Sequence, residues 1–148
     1  MDNKQKNERY KDLMSKLKKS MNNEFYYEAI FIEYAILEDR TESLLRHANI
    51  EIFDQNGDKL NLYKKLKVIE KNRRFCKDKY VTKHINSDLI NSLHSWKNKR
   101  NDLIHDLIKT KYNNIDIKNI ALEGFELVKK LNNKSTLVNQ HFDIINNA

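Results

Sequence analysis

The chain has 148 residues, a formal net charge of +7, no proline, two glycines and one cysteine. That length suits one domain built on one core. A lone cysteine excludes an internal disulfide and a cysteine-based metal cluster. No run of 18 apolar residues is present to cross a membrane, and so few breakers in long charged-apolar periodic segments point to an all-helical fold.

The predicted elements follow in chain order. Residues 1–20 read as a basic N-terminal helix or arm, with a helix over 4–19 around Tyr10, Leu13, Met14 and Leu17. This start is polar and carries no apolar core of a signal peptide, so the expected location is the reducing cytoplasm. Asn22 and Asn23 are candidate caps for a long helix over 24–53, where Ile30, Tyr34, Leu37, Leu44 and Ala48 recur at helical spacing. Asp54-Gln55-Asn56-Gly57-Asp58 is a turn, and its spacing does not fit a calcium loop. A third helix is expected over 59–72 through Leu62, Leu66 and Ile69, followed by a connector over 73–85 with a turn or two of helix. Asn86 or Ser87 caps a helix through Leu89, Leu93, Trp96, Leu103 and Leu107, with a break near 97–100 and an end at Asn113-Asn114. Residues 115–131 make a further helix through Ile117, Ile120, Ala121, Phe125 and Val128. The tail over 132–148 is polar, with one short helix at its end. The sum is a single domain over 1–148, an up-and-down bundle of four to five helices.

The charge is unevenly spread. Residues 20–58 carry net −7 and residues 59–83 carry net +8. The basic segment holds Lys64, Lys65, Lys67, Arg73, Arg74 and Lys77, with Tyr63, Phe75 and Tyr80 interleaved. Two readings stand side by side. One is a track for an RNA backbone with stacking platforms; the other is a solvated face countered by the acidic helix.

The stretch with most chemical content is Arg100-Asn101-Asp102-Leu103-Ile104-His105. Asn101 and His105 lie four apart, on one face of a helix. Arg100 falls in register with Leu93, Trp96, Leu103 and Leu107 and so interrupts an apolar stripe, where a guanidinium is costly without a partner or a polar cleft. Lysines outnumber arginines 22 to 6 in this chain. An arginine at this point therefore suggests a need for the planar fork that suits phosphate and carboxylate. Arg100 and His105 are roughly 140° apart on an ideal helix. A site using both needs a helix break or a second copy of the helix across a two-fold axis.

Arg100-Asn101-x-x-x-His105 resembles the RNxxxH form of the R-x4-6-H motif of HEPN domains. Trp96 before it, Asp106-Leu107 after it and the run Glu33-Tyr34-Ala35-Ile36-Leu37-Glu38-Asp39-Arg40 are similar to the abortive-infection members of that superfamily. The resemblance covers about residues 24–131, and only the short motif is diagnostic; Arg40 and His47 satisfy the looser R-x4-6-H pattern as well. It implies a homodimeric, metal-independent endoribonuclease that requires no cofactor. Arg100, Asn101 and His105 would be its catalytic residues, and a toxin or phage-defence role with an antitoxin or regulatory partner its setting. The chemistry is self-consistent, because RNA supplies its own nucleophile in the 2′-hydroxyl. Histidine changes charge near neutral pH and serves as general acid or base, and arginine stabilises charge on the phosphorane oxygens. Asn101 would orient the histidine or a phosphate oxygen. Some HEPN toxins carry a tyrosine two residues after the histidine, modified by a partner enzyme. Here that position is Leu107, and the nearest downstream tyrosine is Tyr112.

Glu38, Asp39 and Arg40 are candidates for a set that holds Arg100, or for a surface ion-pair cluster. Glu33, Arg40 and His47, seven apart, are candidates for a polar seam at a dimer interface. His94 is a candidate lining of the cleft. No metal-ligand spacing is present. The alternative function is a non-catalytic HEPN-like module that binds RNA or a protein.

Overall fold

The computed structural model describes residues 2–109 and 113–148, and among them every regular element is a helix apart from one isolated bridge, Phe53 to Lys59. Helix α1 (Asn3–Asn22) begins at a capping box, in which Asp2 and Gln5 satisfy each other's backbone N–H groups. Leu17 and Ser20 are its buried residues, with Tyr10, Leu13, Met14 and Met21 packed behind them. The chain reverses at Glu24, whose φ of 61° ends the helix, and α2 (Tyr26–His47) returns antiparallel, so that Arg40 sits 5.0 Å from the Tyr10 ring.

Helix α2 is central. It buries Ala29, Ile30, Ile36, Leu37, Leu44 and Leu45. It stops at His47, six residues before the predicted end, because Asn49 adopts a left-handed φ of 58°. Residues 48–61 then form a loop. Ile52 reaches the core from it, and the expected 54–58 turn is present, with Asp54 accepting from the N–H groups of Asn56 and Asp58 and Gly57 at φ 81°. Three helices follow, α3 (Leu62–Lys71), α4 (Arg73–Cys76) and α5 (Lys79–His84), capped by Asn61, Asn72 and Asp78.

Helix α6 (Ser87–His105) is capped by Asn86 and runs without the break expected near 97–100. It ends at His105, so Leu107 lies in the turn beyond it. Helix α7 (Asn114–Asn146) is one element about 50 Å long. The polar tail predicted over 132–148 is its second half. Leu131, Ser135, Val138 and Phe142 are all buried there, on a spacing of four, three and four. The stripe is too sparse among Asn132, Asn133, Lys134 and Gln140 to stand out in sequence. It becomes a core face because α2, α4 and α5 cover it: Phe75 meets Phe142 edge-on at 5.4 Å, and Asn139 Nδ2 donates to the Ser43 hydroxyl at 3.1 Å.

Helix α7 runs parallel to α2, with Glu33 at Gly124, Ser43 at Asn139 and His47 at Asp143. It runs antiparallel to α5–α6, since Asp78 meets His141, His84 meets Lys134 and Trp96 donates its indole N–H to the Ile120 carbonyl at 2.9 Å. No described helix is long and apolar enough to cross a membrane.

Candidate functional site

Helix α6 carries the site because its buried face, Leu89, Leu93, Trp96 and Leu103, fixes its rotation against α3 and α7. That rotation sets Arg100 toward α2. Its guanidinium lies 4.0 Å from the centre of the Tyr34 ring, and Nη1 donates to Asn101 Oδ1 at 3.1 Å. The Tyr34 face thus offsets part of the desolvation of the cation. Arg100 Nε is buried without a hydrogen-bond partner, and among the described residues no carboxylate lies within ion-pair distance of the side chain. Burial first, then the Glu38 carboxylate, raise the Tyr34 pKa, against the Arg100 charge.

Arg100 stands at the rim of a cleft of about 430 Å³ between α2, α3 and α6. Phe31, Tyr34, Ala35, Glu38 and Glu42 line it from one face of α2. His105 is elsewhere. It is the last residue of α6 and exposed. With α6 continuous, Arg100 and His105 are about 7.5 Å apart along the axis and about 140° apart around it. One chain therefore brings Arg100, Asn101 and Tyr34 together and leaves His105 on another side.

The secondary candidates divide. Glu38 and Asp39 share the Arg100 cleft. Arg40 turns away: its Nε donates to Asp39 at 3.1 Å and its guanidinium lies over Tyr10. His94 does not line this cleft. Its Nε2 is 2.8 Å from Glu70 and its ring meets Tyr63, placing it beside a separate cavity of about 600 Å³ between α3 and α6. The predicted seam of Glu33, Arg40 and His47 faces neighbours in the same chain. His47 Nδ1 lies 2.6 Å from Asp143, and Glu33 is 0% exposed against Trp96 and Gly124.

The chain matches no protein-family model, no curated protein and no solved structure.

The basic segment also divides. Lys65 is only 1% exposed, and its Nζ lies between Glu42 at 3.5 Å and Glu38 at 3.6 Å. Arg74 is structural: Nη1 donates to the Ala48 carbonyl at 2.7 Å and to Asn146 at 3.2 Å, tying α4 to the end of α2 and to α7. Neither is placed to meet a backbone phosphate. Phe75 is core and no stacking platform. Lys64, Arg73 and Lys77 are exposed. Lys67 is half-buried, 3.5 Å from Glu70 and over Tyr63. Lys97, which sequence reading passed over, lies 4.4 Å from the centre of the same ring; burial, and then Lys67, lower its pKa.

The residue most clearly misplaced is Glu33, expected in a seam at a dimer interface and found in the core. Both of its carboxylate oxygens are buried without a partner, and burial pushes its pKa up to about 9. Gly124 makes room for it, since a Cβ there would stand 2.8 Å from Trp96 Cε2 and overlap the carboxyl group. The sequence signal for burial was an acid placed among the apolar residues Ile30, Ile32, Ile36 and Leu37 of α2. Among the described residues no three His, Cys, Asp or Glu side chains converge as metal ligands. Tyr112 lies outside the described residues.

Proposed function

We propose that the chain is a HEPN-like, metal-independent endoribonuclease that works as a homodimer. The observation that carries this reading is Arg100, a half-buried arginine held by an aromatic face and by Asn101, with no carboxylate within ion-pair distance among the described residues. Such a fork is free to take phosphate oxygens. His105 ends the same helix one turn on, open to solvent. The 2′-hydroxyl oxygen attacks phosphorus and gives up its proton, and the 5′-oxygen leaves and takes one. The products are a 2′,3′-cyclic phosphate and a 5′-hydroxyl. His105 carries one of these protons, and Arg100 meets the charge on the non-bridging oxygens.

The geometry of α6 supports a second chain in the site, because Arg100 and His105 diverge around one unbroken helix. The apolar surface beside His105 favours the same arrangement: Ile104 and Leu107 are half-exposed, and Ile108 is 97% exposed. The RNA track narrows to Tyr63, Lys64 and Lys67 with Lys71 on α3, next to Arg73 and Lys77. A toxin or phage-defence setting with an antitoxin is the part of this reading that rests on family resemblance alone.

A non-catalytic RNA- or protein-binding module is the second reading. It is favoured by the His105 ring, which is not among those oriented by a carboxylate, whereas His94 and His141 are held by Glu70 and Asp78. The test is cleavage of single-stranded RNA in EDTA, with product termini read by mass spectrometry. Wild type is expected to leave cyclic phosphates, and His105→Ala to lose cleavage while remaining folded and dimeric. Equal cleavage by that variant sinks the assignment, and RNA binding without cleavage by wild type moves it to the binding module.

A further inference from the structure

Apart from Arg100 at its rim, the cleft is poorly suited to phosphate. Three carboxylates, Glu38, Asp39 and Glu42, line it with two lysines, Lys59 and Lys65, so an anion deeper in the cleft meets carboxylates. A neutral occupant that hydrogen-bonds suits such a lining better than an anion does. Its walls suit a planar group. Phe31 is 71% exposed, far more than a phenylalanine needs to be in a helix with one face buried, and Tyr34 stands one turn from Glu38. Ala35, one turn after Phe31, leaves the floor open.

The carboxylates are not equally engaged. Asp39 is bound by Arg40. Glu42 is held by Lys59 at 2.9 Å, and by Arg46 and Lys65 at 3.5 Å. Glu38 keeps one ion pair, a long one of 3.6 Å to Lys65, and the Tyr34 hydroxyl bears on the same carboxylate. With one long ion pair against the three of Glu42, its oxygens keep the most capacity to accept further donors. A carboxylate takes two parallel N–H donors, which is the geometry offered by the guanine Watson–Crick edge at N1 and the 2-amino group. Lys59 stands across the same cleft as a donor for the carbonyl oxygen next to that edge.

We propose that this cleft is a nucleobase subsite that selects guanine, with Glu38 as the specificity residue and Phe31 as the stacking wall. A phosphate of the same strand then lies at the rim, against Arg100. Unstacked bases of single-stranded RNA are commonly read in this way, by an aromatic face and a hydrogen-bonded edge. The inference rests on the reading of the chain as an RNA-cleaving protein, and it names what that site recognises.

The test is equilibrium binding of wild type to fluorescein-labelled 2′-O-methyl hexamers, which lack the attacking hydroxyl. Five positions are uridine and one is varied. The guanosine hexamer is expected to bind about tenfold more tightly than all-uridine, and inosine, without the 2-amino group, to lose most of that gain. Glu38→Gln is expected to reduce the preference to about twofold or less. Ala35→Phe, at an exposed position that tolerates bulk, should do the same by filling the floor, and it stands in if Glu38→Gln fails to fold. Equal binding of all bases, a preference for another base, or a guanosine preference that survives both variants overturns the subsite. Cleavage of unmodified RNA without base preference overturns the subsite alone. Guanosine-selective binding with no cleavage of unmodified RNA overturns the ribonuclease chemistry and leaves the subsite standing. Binding of none of the hexamers overturns both.

Discussion

A buried acid without a partner is an expensive residue, and Glu33 tolerates its place in the core by staying protonated. The linkage has a definite sign. The unfolded chain releases this proton near pH 4.5, and the folded chain holds it to about 9. Stability contributed at low pH is therefore lost as pH rises through that window, by up to about 1.4 kcal/mol per pH unit. Glu42, Glu70 and Asp78 act in the opposite direction. Against the cost of burial, contacts with Lys59, His94 and His141 hold their carboxyls below the usual range, so their contribution is present above that range and is lost as pH falls below it. Chemical denaturation between pH 5 and 8 should show wild type weakening as pH rises and Glu33→Gln nearly level. A wild-type profile as flat as that of the variant would show that Glu33 is ionised in the fold. At the same scale, Arg100→Lys keeps the charge but loses the fork above Tyr34. Cleavage should fall by about a hundredfold or more with thermal unfolding little changed. Cleavage within a fewfold of wild type would remove Arg100 from the chemistry.

At the scale of elements, α3 is a helix with two kinds of lysine. Lys65 faces α2 between Glu38 and Glu42, whereas Lys64 points to solvent one residue earlier. Removing Lys65 takes the ion pair from Glu38 and one of three cations from Glu42, so Lys65→Ala should cost about 3 kcal/mol of stability. Lys64→Ala should leave unfolding unchanged and lower the salt dependence of RNA binding by about one counterion. The pair of measurements separates a structural from a binding role, and the reverse pattern would invalidate the assignment of both. Helix α7 makes the same point about polar segments. Its second half looks like a tail because its exposed faces are asparagine and lysine, yet Val138 and Phe142 close the core over α2 and α4. Removal of residues 132–148 should abolish cooperative thermal unfolding, as followed by circular dichroism. A sharp transition near the wild-type temperature would show the segment to be dispensable.

For the whole molecule, the question is whether two chains meet at α6. A continuous helix separates Arg100 from His105, and the exposed Ile104, Leu107 and Ile108 offer an apolar surface beside the histidine. Light scattering of wild type at micromolar concentration should give twice the chain mass, and Ile108→Asp should give the monomer and lose cleavage together. A monomeric wild type that cleaves RNA would refute the two-chain site.

The all-helical class was legible in the sequence, because periodicity and the scarcity of breakers act locally. The cap at Asn86 and the turn at Gly57 are local in the same sense, set by hydrogen bonds and dihedrals within a few residues. What covers a given face was decided by distant parts of the chain. Lys65 and Arg74 read as two more cations of a basic run until α2 and α7 supplied their partners, and His94 read as part of the Arg100 cleft until α3 took it. Glu33 read as part of a polar seam at a dimer interface until Gly124 and Trp96 closed over it. Charge and hydropathy are properties of a residue, but burial and pairing belong to contacts between segments up to about a hundred positions apart, such as His47 with Asn146. Only packing brings those together.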